Sequence, residues 1–244
     1  MFRQLALALA LSAPIVAYAR PEQSLPKRFT QAPFSLMSLT IGHPNDGYQI
    51  RAKRLRKSKH VNIKSGSGDH SYGHPALVLM LGRSAKEIAK SAPGSVMLVG
   101  DLSRKAGGPL SGHRSHQSGR DADVGFYVLD EAGKPVTPDK FVTFGGDGKA
   151  TDGSGYSFDD RRNWLLVQSW VRDKRAGLSH IFVSRALRAR LLGYAAKQPA
   201  FQKYVTEVAA LLKQPEDATP HDDHFHVRVS CPKDQAEICR EESR

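Results

Sequence analysis

His221-Asp222-Asp223-His224-Phe225-His226-Val227-Arg228-Val229 is the stretch that decides how this chain is read. From His224 onward, polar and apolar residues alternate. In a strand, residues i and i+2 point to the same side. His224, His226 and Arg228 therefore share one face, and Phe225, Val227 and Val229 share the other. The apolar face suits a core. The polar face carries imidazoles where a solvated strand would carry Lys or Glu, so it suits the lining of a cleft. The expectation is a half-buried strand over 224–229.

Far upstream, Ser115-His116-Gln117-Ser118-Gly119-Arg120-Asp121-Ala122-Asp123 shows the same logic. Asp121 and Asp123 fall on one face of a strand, with Ala122, Val124 and Phe126 on the other. His116 precedes Asp123 at H-x6-D spacing, in the loop entering that strand. A turn at Gly119 can fold the loop back so that His116 and Asp123 meet one ion. With the downstream H-x-H pair, the chain offers what a catalytic zinc site needs: neutral or anionic ligands, an open position for water and a nearby proton carrier. Nitrogen and carboxylate ligands without thiolates suit Zn²⁺. A single loop histidine is ordinarily just solvated, and ten histidines in one chain will cluster by chance. The joint pattern, on two alternating strands, is what favours an ion. There is no H-E-x-x-H helix. Asp121 is either an acceptor orienting an imidazole or a solvated strand residue.

The outer bounds agree with an exported protein. Residues 1–19 place Arg3 before a short apolar run that ends Ala17-Tyr18-Ala19, which reads as a signal peptide cut after Ala19. The remainder is long enough for one large domain, and no other run is apolar enough to span a bilayer. The net charge of +12 should draw the protein to polyanions. Arg51–Lys59 is the densest basic run, read as a solvated surface segment ahead of a specific binding patch. A nucleic-acid binder would share the charge but leave the histidines and the signal peptide unexplained. Cys231 and Cys239 most simply form a disulfide that ties the tail beside the second cluster.

Residues 20 to about 45 are polar and proline-containing and are expected to wrap the surface. Residues 46–74 suggest short strands with exposed loops. Pro75 opens a helix that runs to about Lys90 and ends by Gly94. Ser95–Gly100 and Asp123–Leu129 read as strands, separated by a Gly/Ser/His-rich loop. The Gly-rich stretch 145–155 lacks the spacing of a phosphate-cradling loop. A helix holds Trp164 and Trp170, a short strand covers Ile181–Val183, and helices include Leu187–Ala195 and Phe201–Leu212. Without a βαβ rhythm, the expected fold is α+β, a single domain with a central antiparallel β-sheet, flanking helices and long loops.

The segments Gly107–Asp123 and His221-x-x-His224-x-His226 closely resemble the penicillin-insensitive murein endopeptidases. These belong to a zinc peptidase superfamily that also holds lysostaphin-type endopeptidases, D-Ala-D-Ala peptidases and the hedgehog signalling domain. Phe158–Trp164, the strand near 180–183 and the nearby cysteines continue the resemblance in order. It implies a zinc peptidase domain over 20–244, working in the periplasm on the D-alanyl–diaminopimelate cross-links of peptidoglycan and insensitive to penicillin. It also implies that His116, Asp123 and His226 bind Zn²⁺ and that His224 is the catalytic histidine. His221 and His113 match further family histidines near the site, with His113 a candidate for holding an accessory metal ion. The sequence leaves open whether Asp152, Asp159 or Asp160 approach a metal. No acylatable serine motif is present, since Ser84 and Lys86 lack the needed spacing. The main alternative keeps the zinc but makes the enzyme a D,D-carboxypeptidase or dipeptidase, which would need a cation placed for a free carboxylate.

Overall fold

The computed structural model describes residues 25–216 and 218–242. The expected signal peptide, residues 1–19, lies outside them. Six strands form the central sheet: β1 (Val61–Ile63), β2 (Met97–Val99), β3 (Asp121–Gly125), β4 (Leu178–Phe182), β5 (Leu212–Lys213) and β6 (His224–Val229), in the order β5-β4-β6-β3-β2-β1. The four helices are α1 (Pro75–Ser91), α2 (Asp160–Arg172), α3 (Arg185–Ala196) and α4 (Gln202–Leu211).

The α+β class and the single compact domain agree with the sequence reading, but the sheet is mixed. β4, β6, β3 and β2 pair antiparallel at the centre, while β1 pairs parallel with β2 and β4 parallel with β5. Parallel neighbours require a crossover, usually a helix. α1 makes the crossover from β1 to β2, and α3 with α4 makes that from β4 to β5. Both crossovers join short strands at the sheet margins, where sequence alternation is too brief to register. A second correction concerns Asp123–Leu129. β3 ends at Gly125, and Val128–Leu129 joins a separate three-stranded sheet with Pro135–Val136 and Ser157–Phe158. Residues 25–45 of the segment expected to wrap the surface do more than that. Leu39–Gly42 pairs with Gly47–Ile50, and Phe29, Leu39 and Ile41 pack with Ile238 in a small second core.

The apolar face of β6 is covered as its alternation requires. Phe225, Val227 and Val229 are buried, and Phe225 meets Trp170 of α2 with ring centroids 5.7 Å apart. Trp170 Nε1 donates to Ser84 Oγ of α1 at 3.0 Å, tying the two helices together. α1 starts at Pro75, with fixed φ and no N–H to lose. The His74 Nδ1 caps it by accepting from Ala76 N at 3.2 Å. Asp159 caps α2 through Arg162 N, and Ser184 caps α3 through Leu187 N. At the C-terminus the expected Cys231–Cys239 disulfide is present. The fully buried Arg120 fastens this tail to the sheet, donating to Val229 O and Arg240 O and pairing with Glu241.

Burial lowers the His74 pKa from 6.5 to about 4, and only the neutral ring can accept the capping N–H. Its contribution is therefore complete above pH 6.5 and lost as pH falls toward 4, by about 3 kcal/mol at most. Asn caps well but does not titrate. Denaturant unfolding at pH 7 and pH 4.5 should show a smaller loss of stability on acidification in His74→Asn than in the wild type.

Candidate metal centre

The register of β6 against β3 sets the site. His226 lies opposite Asp123, His224 opposite Gly125 and Arg228 opposite Asp121. Two further imidazoles come from the loop between β2 and β3. That loop turns at Gly119 (φ 76°), where a Cβ would run into the Gln49 side-chain amide, and holds His116 itself at φ 68°. A non-glycine residue is uncommon in this region, and such strain concentrates at functional sites.

All these rings converge on one carboxylate. Asp123 Oδ1 lies 3.2 Å from His116 Nε2, 3.4 Å from His226 Nδ1 and 3.4 Å from His224 Nε2, and Oδ2 lies 3.6 Å from His113 Nδ1. Each imidazole is held from behind by its own acceptor. His116 Nδ1 meets Leu102 O at 2.6 Å, His226 Nε2 meets Asp121 Oδ1 at 2.8 Å, His113 Nε2 meets Asp101 Oδ2 at 3.0 Å, and His224 Nδ1 meets Asp223 Oδ1 at 2.5 Å. A carbonyl or carboxylate can only accept, so the outer nitrogen of each ring is the N–H and the inner nitrogen faces Asp123.

Charge reinforces the arrangement. Burial opposes ionisation of Asp123, but His116 and His224 overcome it and hold its pKa well below the usual carboxylate range. Asp121 is likewise held low against its burial, first by Arg228, whose Nε donates to it at 2.6 Å, and then by His226. Burial pulls His226 down, keeping that ring neutral, and lowers His221 to about 4. Burial would also lower His224, but Asp123 and Asp223 outweigh it and raise that pKa to about 10.

The donor set fits a divalent cation. His116 Nε2 and Asp123 Oδ1 are buried, adjacent and without any hydrogen bond, a costly state for polar atoms unless something positive joins them. His113, His116 and Asp123 each offer a ligand atom within 4.8 Å of the others. In a tetrahedral zinc site with bonds of ~2.0–2.1 Å, ligand atoms stand about 3.3 Å apart. The separations of His116 and His226 from Asp123 Oδ1 match that spacing.

The profile of one family, described as penicillin-insensitive murein endopeptidase, matches residues 40–244. The chain belongs to that family. A penicillin-insensitive murein endopeptidase of Haemophilus influenzae is 28% identical over 209 residues, covering 83% of this chain and 67% of that protein. Those of Escherichia coli O9:H4 and of E. coli strain K12 / DH10B are each 26% identical over 236 residues, covering 94% of this chain and 80% of theirs. Family membership thus agrees with the resemblance read from the two histidine clusters.

Within this murein endopeptidase fold, the sequence-expected residues His116, Asp123, His226, His224 and His113 gather around one point. The His221 ring stands 5.3 Å from that of His224 and 5.6 Å from that of His226. Asp121 is fully buried and grips His226, so the solvated reading fails. Asp159 and Asp160 are engaged by Arg162 and Arg190, and Asp152 is exposed with its carboxylate on Ser154 N. Among the described residues, the contacts of these three lie with Arg162, Arg190 and Ser154 and not with the cluster. Sequence reasoning passed over Asp101, which also meets His70 Nδ1 at 3.1 Å, and Asp223. Asp223 sits beside His224 in the quoted stretch, so adjacency was the available signal. Asp101 has none, because loop folding alone brings it to His113. Removing an outer acceptor of a metal ligand typically costs 10–100-fold in metal affinity. Asp121→Asn should weaken binding of a divalent metal ion by about that factor in a competition titration, with the far-ultraviolet circular dichroism unchanged.

Proposed function

We propose that the chain is a zinc-dependent endopeptidase that hydrolyses the D-alanyl–diaminopimelate cross-links of peptidoglycan in the periplasm. What supports this reading is the gathering of outward-anchored imidazoles around Asp123, with His116 Nε2 and Asp123 Oδ1 buried and unpartnered, in a chain of the murein endopeptidase family. His116, Asp123 and His226 would hold the ion, and His113 stands close enough to act as a further ligand. Zinc held there would supply Lewis-acid chemistry, activating water near neutral pH and polarising the scissile carbonyl.

The remaining work falls to the chain. Among the described residues no glutamate pairs with Asp123 or the rings around it, and we assign proton transfer to His224. Asp223 holds its Nδ1–H, fixing the tautomer and leaving Nε2 aimed into the site. With a cation held beside it, Asp123 would hold the His224 proton less tightly. His224 can then accept a proton from the attacking water and deliver it to the leaving amine. His221, neutral and beside His224, lines the same cleft and completes the proposed catalytic pair. Arg228 is a cation on the histidine face of β6, but its Nε is committed to Asp121 and its guanidinium lies over Phe182. That commitment disfavours a carboxypeptidase that must capture a free carboxylate. Insensitivity to penicillin follows from a mechanism with no acylated serine for a β-lactam to trap. The basic surface suits an anionic wall polymer.

The test is incubation of purified cross-linked muropeptides, read by mass spectrometry. Dimers should convert to monomers without release of free D-alanine. A strong chelator should stop the reaction, zinc should restore it, and benzylpenicillin should leave it unchanged. Release of D-alanine would instead assign the carboxypeptidase activity. His224→Ala should lower turnover by about 10²–10⁴-fold while the protein still binds zinc stoichiometrically.

A further inference from the structure

The ring of Phe141 stacks on the His224 imidazole, with centroids 5.0 Å apart and planes inclined by 26°. Phe141 lies in the loop between Pro135–Val136 and Ser157–Phe158 of the small three-stranded sheet, outside both histidine clusters, and it is half-buried. Its seat is made of two glycines. Gly100 directly follows β2 and Gly125 ends β3. Neither has a positive φ, so the backbone conformation does not call for glycine at either position. The ring does. A Cβ on Gly100 would stand 2.6 Å from Phe141 Cζ, and one on Gly125 would stand 2.9 Å from its Cδ1. The Lys64 ammonium, 5.5 Å from the ring centroid, adds a cation–π contact to the same seat.

His224 needs such a support. Its Nδ1 is held by Asp223, whose side chain is 34% exposed, and its Nε2 faces Asp123 Oδ1 at 3.4 Å. Contacts at Nδ1 and Nε2 fix two ring atoms and leave the plane free to tilt about the line that joins them. A stacked ring fixes the plane. We propose that Phe141 is a positioning residue that holds the His224 imidazole plane so that Nε2 stays aimed at the Asp123 carboxylate, and that Gly100 and Gly125 are glycines to admit it. The proposal rests on the proton-carrier role given to His224 above.

The test combines substitutions with a readout that needs no turnover. Phe141→Leu keeps bulk but has no plane, and Phe141→Tyr keeps the plane. Phe141→Leu should lower kcat by on the order of 10–100-fold, with KM and bound zinc within about twofold of wild type, whereas Phe141→Tyr should stay near wild type. Gly125→Ala should imitate Phe141→Leu, and in a Phe141→Ala background it should cost nothing further, since the clash is gone. In histidine-labelled protein, the His224 Cε1–H resonance, assigned by its loss in His224→Gln, should lie upfield under the ring current of Phe141. It should move downfield in Phe141→Leu, with or without zinc. An unmoved resonance would overturn the proposal even if the protein cleaves no murein. Wild-type kcat in Phe141→Leu, or loss of zinc in step with activity, would overturn it in an active enzyme.

Discussion

A carboxylate that stays ionised while buried among imidazoles is the constraint from which the rest of this structure follows. Asp123 is 2% exposed. Desolvating a carboxylate costs several kcal/mol unless charge or hydrogen bonds offset it. Its backbone is fully engaged, with N donating to Asp101 O and O accepting from Gly100 N, each at 2.9 Å. Its side-chain Oδ1 is left without a hydrogen-bond donor. A fold that wanted only stability would place a hydroxyl or amide there. This one places the inner nitrogens of three rings around that oxygen and a fourth beside its partner.

Register is what makes the convergence possible. A slip of one residue between β6 and β3 would send His224, His226 and Arg228 into the core and Phe225 and Val227 into the cleft. Trp170 and Phe126, packed on Phe225, make that slip costly. The core contacts on one side of the sheet thus specify the site geometry on the other. The outer acceptors then act ring by ring. Leu102 O, Asp121, Asp101 and Asp223 each take one N–H, so four imidazoles are oriented without any of them bonding to another. Arg228 shares Asp121 with His226, and its charge keeps that acceptor ionised in a place where burial alone would protonate it.

Much of this was legible in the sequence where the pattern is local. Alternation over 224–229 located β6 and the faces of its residues, Pro75 located the start of α1, and two nearby cysteines located the disulfide. The gathering of Asp123, His224 and His226 was visible because each lies on a strand whose other face is apolar, and His116 because it stands at a fixed spacing before one of those strands. The parallel margins of the sheet did not emerge. Val61–Ile63 is three residues inside a basic, Gly- and Ser-rich region, and Leu212–Lys213 is two residues at a helix end. Neither is long enough to show a period of two. The hairpin at Leu39–Ile50 was hidden for a related reason, since its apolar partner Ile238 comes from the opposite end of the chain. Phe141 was invisible as a functional residue because its meaning lies in Gly100 and Gly125, two glycines that no turn explains.

The site is also graded in depth, and the gradient separates its tasks. The side chains of His116 and Asp123 are 1% and 3% exposed, and that of His226 is 8%. His224 and His113 rise to 19% and 22%, and Asp223 to 34%. Groups that must hold a fixed geometry lie at the base, where packing locks their rotamers and low dielectric strengthens their attraction for a cation. His224, proposed to move protons, stands nearer the rim beside His113, where it can exchange with water after each turnover. A proton carrier at the mouth surrenders some packing, and the stacked Phe141 ring restores the lost orientation without closing the path to solvent. Rigidity at the base comes from burial, and at the rim it comes from one aromatic face.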